Sequence, residues 1–109
     1  MQIKKKSIES LEIPLSIQHL LEKIVSSAKP KQIVLFGSRA TGKHRENSDF
    51  DLCVLDKNCS DNDWNALFVD IQTESFSLYK IDLVEFDSLN KEYQDQILKE
   101  GKILYERSS

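Results

Sequence analysis

Three aspartates stand where strand-forming sequence argues against them. Asp49 and Asp51 flank Phe50 at the head of the apolar run FDLCVL, and Asp82 interrupts Ile81-Asp82-Leu83 in KIDLVEF. Aspartate is depleted in strands because it packs no apolar surface and competes for backbone hydrogen bonds. Strand side chains alternate faces, so Asp49 and Asp51 point one way while Phe50, Leu52 and Val54 point into the core. Two ionised carboxylates at close range repel, and one takes up a proton unless a cation lies between them. Mg²⁺ suits that place: it is hard, octahedral and oxygen-seeking, and is usually held by one or two carboxylates plus substrate phosphates. Taken alone, Asp-x-Asp fits the wet face of a half-exposed strand equally well, and Asp82 alone says less still.

The residues upstream favour the chemical reading. Phe36-Gly37-Ser38 ends the β-rich run QIVLF and opens a turn, with backbone N–H groups and a hydroxyl at the start of a short helix. Such a turn accommodates a phosphate oxygen through donor geometry and the helix dipole. Gly37 permits close backbone approach, and Ser38 can donate from Oγ. The plainer reading is a strand–turn–helix connection that uses Gly-Ser as turn residues. A phosphate cradle beside a carboxylate pair makes a coherent nucleotide–Mg²⁺ site, more specific than either half. Arg39 is the best placed cation for a triphosphate. Lys43, His44 and Arg45 fit a solvated loop, Ser48 a cap for the Asp49 turn, Cys53 a small packing residue, and Cys59 an idle thiol in a polar turn.

Positioning these groups requires a sheet with helices on it. Pro14 suits the first turn of a helix whose apolar stripe is Ile17, Leu20, Leu21, Ile24, Val25 and Ala28, ended by Lys29-Pro30. Strands are expected at Gln32–Phe36, Phe50–Leu55 and Lys80–Phe86, with a short helix from Ala40 onward. A helix capped by Asp61 would carry Trp64, Leu67, Phe68 and Ile71. Another, capped by Ser88 and stopped by Gly101, would carry Leu89, Tyr93, Ile97 and Leu98. Lys102–Tyr105 can add an edge strand. Trp64, Phe68 and Tyr93 read as core. The alternation of helix and strand means an α/β (α+β) architecture, a small mixed sheet of three to four strands flanked by helices.

The chain has 109 residues, 15 Lys plus Arg against 18 Asp plus Glu, and a formal net charge of −3. That length is expected to form a single domain, residues 1–109. The acidic balance argues against a general nucleic-acid-coating protein. Lys4-Lys5-Lys6 reads as a solvated tail. No apolar run approaches the ~20 residues of a membrane span, and two cysteines without a CxxC pair suggest neither a disulfide nor a zinc framework. A cytoplasmic domain without membrane attachment is the expectation.

Gly37-Ser38, ten residues, then Asp49-Phe50-Asp51 resembles the glycine–serine…DxD signature of the DNA-polymerase-β-like nucleotidyltransferase superfamily. The fuller string GSRATGKHRENSDFDL is similar to the minimal nucleotidyltransferase (MNT, MntA-like) branch, and the likeness covers nearly the whole chain. It implies a nucleotidyltransferase fold, with Gly37, Ser38 and Arg39 on the triphosphate of ATP. Asp49, Asp51 and Asp82 would be the catalytic carboxylates binding two Mg²⁺ ions. The reaction implied is attack of a hydroxyl on the α-phosphorus with release of pyrophosphate, Asp82 also being placed to take the acceptor's proton.

The same branch implies a HEPN-domain toxin as partner, silenced when AMP is moved onto one of its tyrosines, in a hetero-oligomer with its antitoxin. Two other functions stay open on the sequence. One is a binding antitoxin that masks its partner without chemistry. The other is a transferase acting on a small molecule or an RNA end, which the net negative charge disfavours.

Overall fold

The computed structural model describes residues 13–43, 49–73 and 79–108. Lys4–Lys6, His44, Arg45 and Ser48 therefore lie outside the described residues. The elements run α1 (Leu15–Ala28), β1 (Gln32–Phe36), α2 (Ser38–Thr41), β2 (Phe50–Leu55), α3 (Asp61–Thr73), β3 (Ile81–Glu85), a 3₁₀ turn (Phe86–Ser88), α4 (Lys91–Glu100) and β4 (Lys102–Glu106). The four strands form one mixed sheet in the order β3-β2-β1-β4. β1 pairs antiparallel with β2 and with β4, and β2 pairs parallel with β3. Parallel neighbours cannot be joined by a tight hairpin, and α3 supplies the long crossover between them.

Alternation along the strands divides the molecule into two unequal cores. Ile33 and Leu35 of β1, Phe50, Leu52 and Val54 of β2, and Ile81 and Leu83 of β3 pack against the whole apolar stripe of α1 and against Leu67 and Ile71 of α3. The opposite face carries a smaller cluster of Val34, Phe36, Cys53 and Ile97, the last from α4. This division is the one expected from Phe50, Leu52 and Val54 pointing away from Asp51. Among the described residues no helix is long and apolar enough to cross a membrane.

Four local details differ from the expectations. Pro14 lies just before the first helical turn, its carbonyl accepting from the N–H groups of Ile17 and Gln18 at 3.0 Å. α1 ends with Lys29 in the left-handed region, φ 47°, where its N–H reaches Val25 O. The caps fall one and two residues from those expected. Ser60 Oγ accepts from Asp63 N at 3.1 Å, and Asn90 Oδ1 accepts from Tyr93 N at 2.8 Å. Ser88 instead donates to Glu85 O within the 3₁₀ turn. Each stretch offers several cap-type residues in a row, and the sheet's exit angle decides among them.

Phe68 and Leu98 are 40% and 60% exposed. On α3 Leu67 and Ile71 are buried with Trp64 partly buried beside them, and Phe68 is turned about 100° from Leu67. On α4 only Ile97 is buried, so Leu98 faces outward.

Gly101 stops α4 as expected, but through space rather than torsion. Its φ is −69°, and a Cβ there would run into Ile97 O and Val34 Cγ1. Lys57 ties the start of α3 to the end of β3, with Nζ 3.2 Å from both Asp61 Oδ1 and Glu85 Oε2.

The cap assignment has a direct check in denaturant unfolding. Asn90→Ala should cost about 1 kcal/mol, and Ser88→Ala clearly less, because it loses a single exposed hydrogen bond.

Candidate active site

The sheet register brings two of the three aspartates side by side. Asp51 pairs with Asp82 across the parallel β2–β3 ladder and with Phe36 across the antiparallel β1–β2 ladder. Asp49 lies one residue before β2, with the same facing parity as Asp51. Asp51 is half-buried, while Asp49 and Asp82 are exposed. Burial first, then the negative charges of Asp82 and Asp49, push the Asp51 carboxyl from its ordinary 3.8 up to about 6.

Gly37 closes on this carboxylate from β1. With φ 75° and ψ −156° it occupies a backbone region essentially reserved for glycine. A Cβ at this position would collide with Asp51 Oδ2. The two properties expected of Gly37, special torsion and close approach, are thus both used against the aspartate. Ser38 begins α2, whose first turn is closed by the N–H groups of Ala40 and Thr41 bonding to Gly37 O. N–H groups at the head of such a turn have no carbonyl partner within the helix.

Arg39 stands directly after Ser38, but its guanidinium stacks 3.9 Å from the centroid of Phe50 and 5.1 Å from that of Tyr79. Phe50 lies on the face of β2 opposite Asp51, in the larger core. Lys43 is exposed, its N–H closing the α2 turn on Ser38 O. Cys53 is fully buried, as expected of a packing residue, and burial with the nearby charge of Asp87 pushes its thiol up to about 12.

Beside Asp51 lies an open cleft of about 130 Å³. Phe36, Gly37 and Asp51 form its sheet side, and Tyr93, Gln96 and Glu100 of α4 its helix side, around the buried Ile97. The sequence reading missed this second wall. Tyr93 was expected in the core, yet it is 44% exposed, standing edge-on to Phe36 with ring centroids 5.9 Å apart. Desolvation, then the charges of Asp51 and Asp82, raise its phenol above the ordinary value. A spacing signal did exist, because positions 93, 96, 97 and 100 share one helical stripe.

Among the described residues no three His, Cys, Asp or Glu side chains are drawn tightly enough to cage a metal on their own. The donor set nonetheless fits Mg²⁺, which takes one or two carboxylates and completes its shell with water and phosphate oxygens. The repulsion that Asp82 and Asp49 add to the burial of Asp51 is the kind a divalent cation relieves.

The family described as polymerase beta, nucleotidyltransferase, matches residues 17–109. This chain belongs to that family. It is 41% identical to the protein adenylyltransferase MntA of Aphanizomenon flos-aquae (strain 2012/KM1/D3), across 70% of this chain and 57% of that protein. The chain thus spans a little over half the length of the curated relative it matches. Two of the solved structures that resemble it are toxin–antitoxin assemblies. One is a toxin–antitoxin crystal structure with AMP-PNP, at TM-score 0.62 and 26% identity over 83% of this chain and 73% of that one. The other is a toxin–antitoxin MntA–HpeT mutant with two aspartate-to-glutamate changes, at TM-score 0.59 and 25% identity over 84% of this chain and 71% of that one. The nucleotidyltransferase fold expected from Gly37-Ser38 and Asp49-x-Asp51 is the fold observed.

Two outcomes follow for the metal-free protein. Because folding raises the Asp51 pKa, stability should fall as pH rises from about 4 to about 6 and then level off. Asp51→Asn should therefore raise the thermal midpoint above pH 6 and leave it unchanged near pH 3. Gly37→Ala should cost about 1–3 kcal/mol from torsion alone, read by denaturant unfolding, with a further loss from the collision with Asp51.

Proposed function

We propose that this chain, acting as one minimal domain, is a Mg²⁺-dependent nucleotidyltransferase that moves AMP from ATP to a hydroxyl. We take that hydroxyl to be a tyrosine of a HEPN-domain toxin, which makes the chain the antitoxin of a cytoplasmic toxin–antitoxin pair working as a hetero-oligomer. The observation that carries this reading is Asp51, set against the Gly37 backbone on one side and paired with Asp82 on the other. The curated relative is a protein adenylyltransferase, and two of the similar structures are toxin–antitoxin assemblies, one of them with a nucleotide analogue. In the mutant assembly the two replaced aspartates stand two positions apart, as Asp49 and Asp51 do.

In this mechanism Gly37 and Ser38 hold the triphosphate through N–H groups and the Ser38 hydroxyl. Arg39 would leave its stack on Phe50 to join them. Asp49, Asp51 and Asp82 would hold Mg²⁺, two ions in the reading we favour, and the metal would supply charge neutralisation for the phosphoryl transfer. The acceptor oxygen attacks the α-phosphorus in line, the bond to the bridging oxygen breaks, and pyrophosphate leaves. Asp82, exposed on β3 beside Asp51, takes the proton of the acceptor hydroxyl.

The test is incubation with ATP labelled at the α-phosphorus, Mg²⁺ and the proposed toxin partner. Label on a toxin tyrosine should appear and should be lost in Asp49→Asn/Asp51→Asn or with EDTA. A double variant that still labels the toxin would refute the carboxylate mechanism. One that labels nothing yet still neutralises the toxin would establish masking in place of transfer.

A further inference from the structure

We propose that the cleft wall formed by α4 reads the base of the transferred nucleotide, with Tyr93 stacking on it and Gln96 and Glu100 selecting the amino edge of adenine. This inference rests on the nucleotide reading above and adds the groups that choose among nucleotides.

The cleft opens directly from Gly37 and Asp51, so a nucleotide whose phosphates lie there has its nucleoside end within reach of α4. Residues 93, 96, 97 and 100 fall on one stripe of the helix. Ile97, buried in the smaller core, anchors that stripe to the sheet. The edge-on contact with Phe36, at an interplanar angle of 83°, fixes the plane of Tyr93 while much of the ring stays exposed. A positioned, half-open aromatic ring is the usual platform for a base.

Gln96 and Glu100 are both exposed, and neither makes a side-chain hydrogen bond or ion pair among the described residues. A glutamine amide offers one donor and one acceptor side by side, the complement of the amino group and ring nitrogen of adenine. An ionised glutamate only accepts. It favours the adenine amino group and opposes the guanine oxygen that takes its place. A site built from such groups rejects the analogue that leaves them unpaired more strongly than a purely apolar pocket could.

The experiment is equilibrium binding of non-hydrolysable ATP and GTP analogues to the full chain with Mg²⁺, for the wild type and three variants. The wild type should prefer the ATP analogue by at least tenfold. Tyr93→Ala should weaken that analogue by about 5- to 150-fold, the worth of one base–aromatic stack, and Tyr93→Phe should restore it. Gln96→Ala/Glu100→Ala should bring the two affinities together without weakening the GTP analogue. Circular dichroism separates these effects from misfolding. A wild type that binds both analogues equally, or a double variant with an unaltered ratio, overturns the inference and leaves the transferase reading standing. Unchanged nucleotide binding with a raised KM for the toxin would assign the cleft to the acceptor and likewise overturn it. A wild type that binds neither analogue with Mg²⁺ removes both readings.

Discussion

The Asp51 carboxylate is confined on two sides, and most of the architecture serves that confinement. The antiparallel β1–β2 ladder brings the turn after Phe36 against it, and the parallel β2–β3 ladder sets Asp82 at its flank. Of these two neighbours only Asp82 is unfavourable. Gly37 adopts a torsion that other residues avoid, and Asp82 adds a like charge beside a carboxyl already partly desolvated. The opposite face of the sheet stabilises the arrangement. Fully burying one Phe, Leu, Ile or Val contributes about 1.5–3 kcal/mol, and Phe50, Leu52 and Val54 of the same strand are all buried to 1% exposure or less. The crowding of Asp51 is therefore set against what β2 itself gains from the other side.

That asymmetry also explains the cleft. One face is closed by α1 and α3, while α4 meets the other through Ile97 and the short cluster around Val34, Phe36 and Cys53. Beyond Ile97 the helix stands off from the sheet and presents Tyr93, Gln96 and Glu100 to the gap. A more apolar α4 would bind the sheet more completely and close over Asp51. The polar composition of KEYQDQILKE thus keeps the face open at some loss of burial.

Features with a strong period were legible before any coordinates. The six-residue stripe of α1, the strands β1, β2 and β3 and the opposite facing of Phe50 and Asp51 all follow from spacing. So did the adjacency of glycine and carboxylate, since a strand ending at Phe36 and another opening at Phe50 pair naturally in a small sheet. What spacing could not show was set by competition among similar residues. Ser60 and Asp61, or Ser88 and Asn90, are all competent caps, and only the approach of the chain to the sheet selects one. Tyr93 and Phe68 look like core residues by type, yet each lies beside a narrower buried line. Arg39 illustrates the same limit, because proximity in sequence to Ser38 does not say which side of β2 its long side chain will take.

Cys53 is two residues beyond Asp51 on the same face, and its sulfur is buried with its ionisation strongly suppressed. Thiophilic ions such as Zn²⁺ and Cu⁺ bind the thiolate, and oxidants attack it, so a thiol held in its protonated form offers little to either. The carboxylate end of the sheet is thereby left with oxygen chemistry alone, insulated from redox poise and from scavenging by softer metals even though sulfur lies one pleat away.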